Sequence, residues 1–158
     1  MAEDAIYQSI PHREPFLFVD KILECTDSKI VCQKTFTGEE GFFQGHYPET
    51  PIVPGVILCE AAMQAGAIML SRNMQKDGRV TIKNGTADAG GKVPVVVKMN
   101  DVRFRQIIEP GDTIQISVVT ENSVPRAHKM SATVTKNNLL AVKLSFVVMI
   151  VENPREEN

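Results

Sequence analysis

With 158 residues, 43% of them hydrophobic and 23% charged, the chain has the size and composition of one globular domain, taken to span 1–158. A net charge of −2 and a sequence pI near 5.9 argue against generic nucleic-acid binding, and no basic tract is present to hold an acidic membrane surface. Cys25, Cys32 and Cys59 share no metal-ligand or redox spacing, and the N-terminus lacks a secretory leader's basic and apolar regions, so a soluble cytoplasmic protein is expected.

Ile6–Phe16 contains Pro11 and Pro15 and reads as a short helix or an extended lead-in. Phe16–Glu24 and Lys29–Phe36 are rich in Phe, Val and Ile, with the turn formers Cys25-Thr26-Asp27-Ser28 between them, and are predicted to be two paired strands. Gly38–Gly55 carries four glycines and three prolines and should be a structured loop, with a helical turn at Glu39–Phe43. A helix follows to about Met74, with Pro54 at its first position, where no N–H is needed. Val56–Leu70 is apolar or small except for Glu60 and Gln64, so the helix should be buried on nearly every face. It is too short to span a bilayer. Ala61, Ala62, Ala65, Gly66 and Ala67 admit a neighbouring surface close to its backbone.

Arg79–Gly91 is the most loop-like stretch, with Asn84-Gly85 and Gly90-Gly91 as turn signals. Four strands are predicted after it: Val93–Phe104, Thr113–Glu121, His128–Lys136 and Leu139–Val151. Ile114, Ile116 and Val118 alternate with polar residues, as do Met130, Ala132 and Val134. Asn137-Asn138 suits a tight hairpin, and Asn153–Asn158 should fray. The sum is an α+β fold of about six mostly antiparallel strands curved about one long helix, with a dimer extending the sheet.

Chemistry concentrates between Gly45 and Gln64. Gly45 lets a ligand approach the loop that carries His46, Pro48 stiffens it, and an imidazole titrates near neutral pH, as a general base must. Glu60 is the one charge between Val56 and Leu70, where burial disfavours the ionised form, so it is a candidate acid. Gln64, one turn on, shares its face and can hydrogen-bond the carboxylate. Gly55 opens the helix, so its free N–H and the positive end of the dipole suit a developing oxyanion. Singly, each has a plainer reading: a turn histidine, a glutamate at an exposed helix edge, a turn glycine. Together they make a base, an acid and an oxyanion donor.

Five segments carry a resemblance: Pro11-His12-Arg13-Glu14-Pro15-Phe16-Leu17-Phe18-Val19-Asp20, Phe42-Phe43-Gln44-Gly45-His46-Tyr47-Pro48, Pro51-Ile52-Val53-Pro54-Gly55-Val56, Glu60-Ala61-Ala62-Met63-Gln64, and Val102-Arg103-Phe104-Arg105 before Pro110-Gly111-Asp112. In this order and spacing they resemble the FabZ-type (3R)-hydroxyacyl-(acyl-carrier-protein) dehydratases over roughly Ile6 to Val148. The resemblance implies a hotdog fold, a curved antiparallel sheet wrapped around one long central helix, in homodimers that commonly assemble as trimers of dimers. It implies that His46 of one subunit works with Glu60 of its partner, that the Gly55 N–H binds the thioester carbonyl, and that a backbone carbonyl near Ile52 orients the imidazole. The implied reaction removes water from a hydroxyacyl group on the phosphopantetheine of an acyl carrier protein, in fatty acid biosynthesis, with neither metal nor organic cofactor. Related dehydratase/isomerases carry Asp where this chain has Glu60, so isomerase activity is not expected. Glu14, Met99-Asn100-Asp101 and a long Arg79–Val97 segment depart from the family pattern and bear on acyl chain length.

His12 and Arg13 are assigned a structural role at the sheet edge, and His128 a solvated one. Arg103 and Arg105 share a strand face and suit an acidic carrier protein, the pantetheine phosphate, or water alone. Two other functions fit the same fold. An acyl-thioester hydrolase needs an activated water and no β-hydroxyl. A silent acyl-binding module needs neither His46 nor Glu60.

Overall fold

The computed structural model describes residues 2–153, so most of the stretch expected to fray lies outside it. Ala2–Tyr7 is a short helix, α1, followed by an extended segment. The first strand is shorter than expected: β1 is Lys21–Cys25. Leu17, Phe18 and Val19 are buried outside the ladder, and the Phe18 N–H donates to the Gln64 side chain at 2.8 Å. Their apolar run reports burial, which pairing does not require. β2 (Lys29–Thr35) follows, then a 3-10 turn at Gly41–Gln44 within the glycine-rich loop.

The long helix, α2, spans Gly55–Lys76. Burial on nearly every face holds except along one stripe. Glu60, Met63, Ala67 and Ser71 are only half-buried and recur at helical spacing on one side. This stripe lines the cavity described below.

After α2 the stretch read as loop contains a hairpin, β3 (Thr81–Lys83) and β4 (Thr86–Asp88), turned at Asn84 (φ 52°) and Gly85 (φ 75°). The turn signal was legible. The strands were not, because three residues apiece, with one apolar side chain in each, are too short to show alternation. β5 (Lys92–Phe104), β6 (Thr113–Val124), β7 (Ala127–Lys136) and β8 (Leu139–Glu152) complete the chain. Asn137 and Asn138, at φ 52° and 61°, turn β7 into β8 as expected.

The main sheet runs β1-β2-β6-β7-β8-β5 with every neighbour antiparallel. One face packs on α2 around Ile30, Ile68, Ile114 and Phe146, none of them exposed. A Cβ on Gly66 would lie 2.8 Å from Met130 Sδ and 2.9 Å from the Phe146 ring, so glycine lets β7 and β8 press onto the helix backbone. No helix among the described residues is long and apolar enough to cross a membrane.

Candidate active site

The loop before α2 is pinned at both ends. The His46 N–H donates to Phe42 O at 3.0 Å and the Val53 N–H to Ile108 O at 2.7 Å. Between them Tyr47 takes φ 56°, a left-handed conformation that bulky residues rarely adopt and that concentrates at functional sites. His46 Nδ1 lies 2.9 Å from the Ile52 carbonyl. A carbonyl only accepts, so Nδ1 carries the proton and Nε2 presents its lone pair. The carbonyl expected to orient the imidazole is therefore Ile52's own.

Gly55 begins α2, and its N–H has no hydrogen-bond partner among the described residues. A Cβ at this position would sit 2.7 Å from the Phe104 ring of β5. Glycine is needed because an aromatic ring lies across the helix start.

Glu60 stands on the half-buried stripe of α2, its side chain 22% exposed. The expected desolvation is thus incomplete within one chain. Gln64, 1% exposed, donates from Nε2 to Glu60 Oε1 at 3.0 Å and to Phe16 O at 2.9 Å, while its Oε1 accepts the Phe18 N–H. One amide therefore fixes both the carboxylate and the lead-in segment.

That segment brings in a residue the sequence placed elsewhere. His12 Nε2 lies 3.5 Å from Glu60 Oε1, its ring stacked at 6.3 Å on Phe16. Burial pulls this imidazole below its usual value, the Glu60 carboxylate opposes the shift, and the Arg13 charge adds to it. Its Nδ1 is buried without a hydrogen-bond partner among the described residues. The position within a Pro-His-Arg motif was the available signal. Its meeting with a helix residue far along the chain left no local pattern.

An apolar cavity of about 540 Å³ opens beside Glu60 and His12, with Met63 and Ala67 of α2 on one side and Val93 and Met99 of β5 on the other. Its size and lining are those of a small-molecule site with few polar groups at one end. Within a single chain, His46 contacts Ile52 and Tyr47, whereas Glu60 contacts Gln64 and His12. The described residues of one chain do not join the two by a hydrogen bond or ion pair.

A family model for the FabA-like domain matches residues 10–145. The chain is 42% identical over 113 residues to the 3-hydroxyacyl-(acyl-carrier-protein) dehydratase FabZ of Clostridium perfringens strain SM101, covering 72% of each. To that of Oenococcus oeni it is 35% identical over 152 residues, covering 94% of this chain and 99% of the other. The chain belongs to the FabA-like family, as a FabZ-type dehydratase. The dehydratase heterocomplex ApeI:P from Xenorhabdus doucetiae superposes with a TM-score of 0.76 at 14% identity, over 96% of this chain and 93% of that one, which shows the shared hotdog fold.

Three further residues of this FabZ-type dehydratase lie outside the lining of that cavity. Arg103 and Arg105 are exposed and form no ion pair among the described residues. His128, read as solvated, is 4% exposed, its Nδ1 2.6 Å from Ser123 Oγ. Burial lowers its pKa and the Arg79 charge adds to the effect. A strand-end position by itself does not report exposure, because the β6–β7 hairpin continues past it.

Proposed function

We propose that this enzyme removes water from (3R)-hydroxyacyl groups on acyl carrier protein, giving the trans-2-enoyl thioester in the elongation cycle of fatty acid biosynthesis. The observation that carries the reading is His46, its proton fixed on Nδ1 by Ile52, in a chain that also has a Gly55 N–H without a partner among the described residues and presents Glu60 at an apolar cavity. The Gly55 N–H receives the thioester oxygen as negative charge develops there. His46 Nε2 takes the C2 proton, and the C2–H electron pair forms the C2=C3 bond as the C3–O bond breaks. Glu60 of the partner subunit, directly or through a water it holds, supplies the proton with which the hydroxyl leaves as water. Proton return from His46 to Glu60 through solvent restores both.

Shared sites require a homodimer, and strand β5 supports one. Among the described residues this thirteen-residue strand pairs only with β8, and Val96, Val97 and Met99 are 42%, 51% and 46% exposed. An apolar edge of that length is a template for another strand, and a second copy laid β5 on β5 continues the sheet. A trimer of such dimers is the proposed larger assembly. The enzyme works in the cytoplasm as one domain, with carrier protein rather than nucleic acid or membrane as its partner.

Incubation with 3-hydroxybutyryl and crotonyl thioesters tests the reaction. Dehydration changes enoyl absorbance with the thioester intact, hydrolysis releases free thiol, and a silent binding module does neither. Wild-type turnover by His46→Ala would remove the basis of the mechanism.

A further inference from the structure

The acyl cavity has a defined far end, built in part by Arg79–Val97, one of the segments that depart from the family pattern. Glu60 and Met74 both line it, about 21 Å apart along α2 at about 1.5 Å per residue. Met74, Ala89, Lys92 and Ile150 form the distal wall, beyond which lies a second cavity of about 590 Å³. Ala87 of β4 and Ala89 just after it face the first cavity and pack against the core. The hairpin that carries them is anchored: Arg13 Nη2 donates to Thr86 Oγ1 at 2.7 Å, and the Gly90 N–H to Asp88 Oδ1 at 2.9 Å. Past Glu60 and His12, Lys92 is the one charged residue among those lining the cavity.

Bonds of about 1.5 Å at about 111° advance an extended hydrocarbon about 1.25 Å per carbon. The terminal methyl stops about 4 Å short of the distal wall, at van der Waals contact, which shortens the run by about three bonds. With C3 at Glu60, an acyl group of roughly sixteen carbons in all ends at the hairpin. We propose that long-chain 3-hydroxyacyl thioesters are the preferred substrates, and that hairpin β3–β4 is the ruler, with Ala89 as the residue that sets its reach. This rests on the dehydratase reading for the identity of the site. The small side chains of Ala87 and Ala89 leave room for the last methylenes, and each methylene taken from water improves binding about fourfold.

The test compares kcat/KM for 3-hydroxybutyryl, 3-hydroxydecanoyl and 3-hydroxyhexadecanoyl pantetheine thioesters in wild type, Ala89→Val and Ala89→Phe. Wild type should favour hexadecanoyl over butyryl by about tenfold or more. The Phe variant should cut that ratio at least about tenfold and the Val variant less, in order of added bulk. Circular dichroism shows whether each variant folds, and Ala87→Leu, facing the same cavity, gives an independent obstruction. A flat wild-type profile, or a loss equal at all lengths in folded variants, overturns the ruler. Calorimetric titration with non-reactive thioether analogues of the same lengths separates it from the reaction. No dehydration with length-dependent binding defeats the dehydratase reading alone, and dehydration with length-independent binding defeats the ruler alone.

Discussion

The two edges of the main sheet are built to opposite ends. β1 has five residues, its register slips between Ile22 and Glu24, and Lys29 pairs with Glu24 across it at 3.1 Å. Short length, irregularity and charge are how proteins stop strands from adding to a sheet. β5 is thirteen residues long and exposes Val96, Val97, Met99 and Phe104. Its register also slips, between Val96 and Lys98 and between Asn100 and Arg103, which bends it around the helix while leaving the apolar edge long. β5 also supplies Phe104 across Gly55 and Met99 in the cavity wall. One edge ends the sheet; the other lines the cavity and is the one proposed to join subunits.

The largest effect expected on this contrast comes from the base. His46→Ala should lower kcat/KM about 10³-fold and Glu60→Gln about 10²-fold. If β5 joins subunits into shared sites, mixing the two inactive proteins through unfolding and refolding should restore about a quarter of the wild-type rate, since half the dimers carry one intact site. No recovery would place each site within one chain. Gly55→Ala should cost about 10²-fold in kcat, because the methyl meets the Phe104 ring and shifts the N–H that receives the oxyanion.

Val97→Lys should give a monomer by sedimentation at micromolar concentration and lose most turnover, whereas Leu23→Lys on β1 should change mass and rate little. Equal responses at the two edges would erase the distinction between them.

The smallest effect lies away from both edges. His12 and His128 have folded-state pKa values below the usual histidine value, chiefly through burial. As pH falls below about 6.5 the unfolded chain takes up protons first, so stability is intact above that value and declines beneath it. The urea midpoint should therefore drop between about pH 7 and about pH 5, and less so in His128→Asn. An unchanged acid decline in that variant would remove His128 from the account.

Most of the architecture was legible because it rests on local chemistry. The apolar run after Pro54 gave α2, alternation gave β6 and β7, and the paired asparagines gave the β7–β8 hairpin. What escaped depends on distant partners. Phe16–Val19 looked like strand, yet its Phe18 N–H goes to a helix side chain. Gln64 bonds Glu60 as their one-turn spacing allows, and the Gly55 N–H at the start of α2 has no partner among the described residues. His12 could not be tied to Glu60 by any spacing, since the lead-in segment and α2 meet only once the chain has folded.

Gln64 gives that meeting a consequence. A single carboxamide holds the backbone at Phe16 and Phe18 with the same group that steadies Glu60. Loosening the amino-terminal arm would then leave the proton donor unaimed while the curved sheet stayed whole, so the protein should fall silent before it melts.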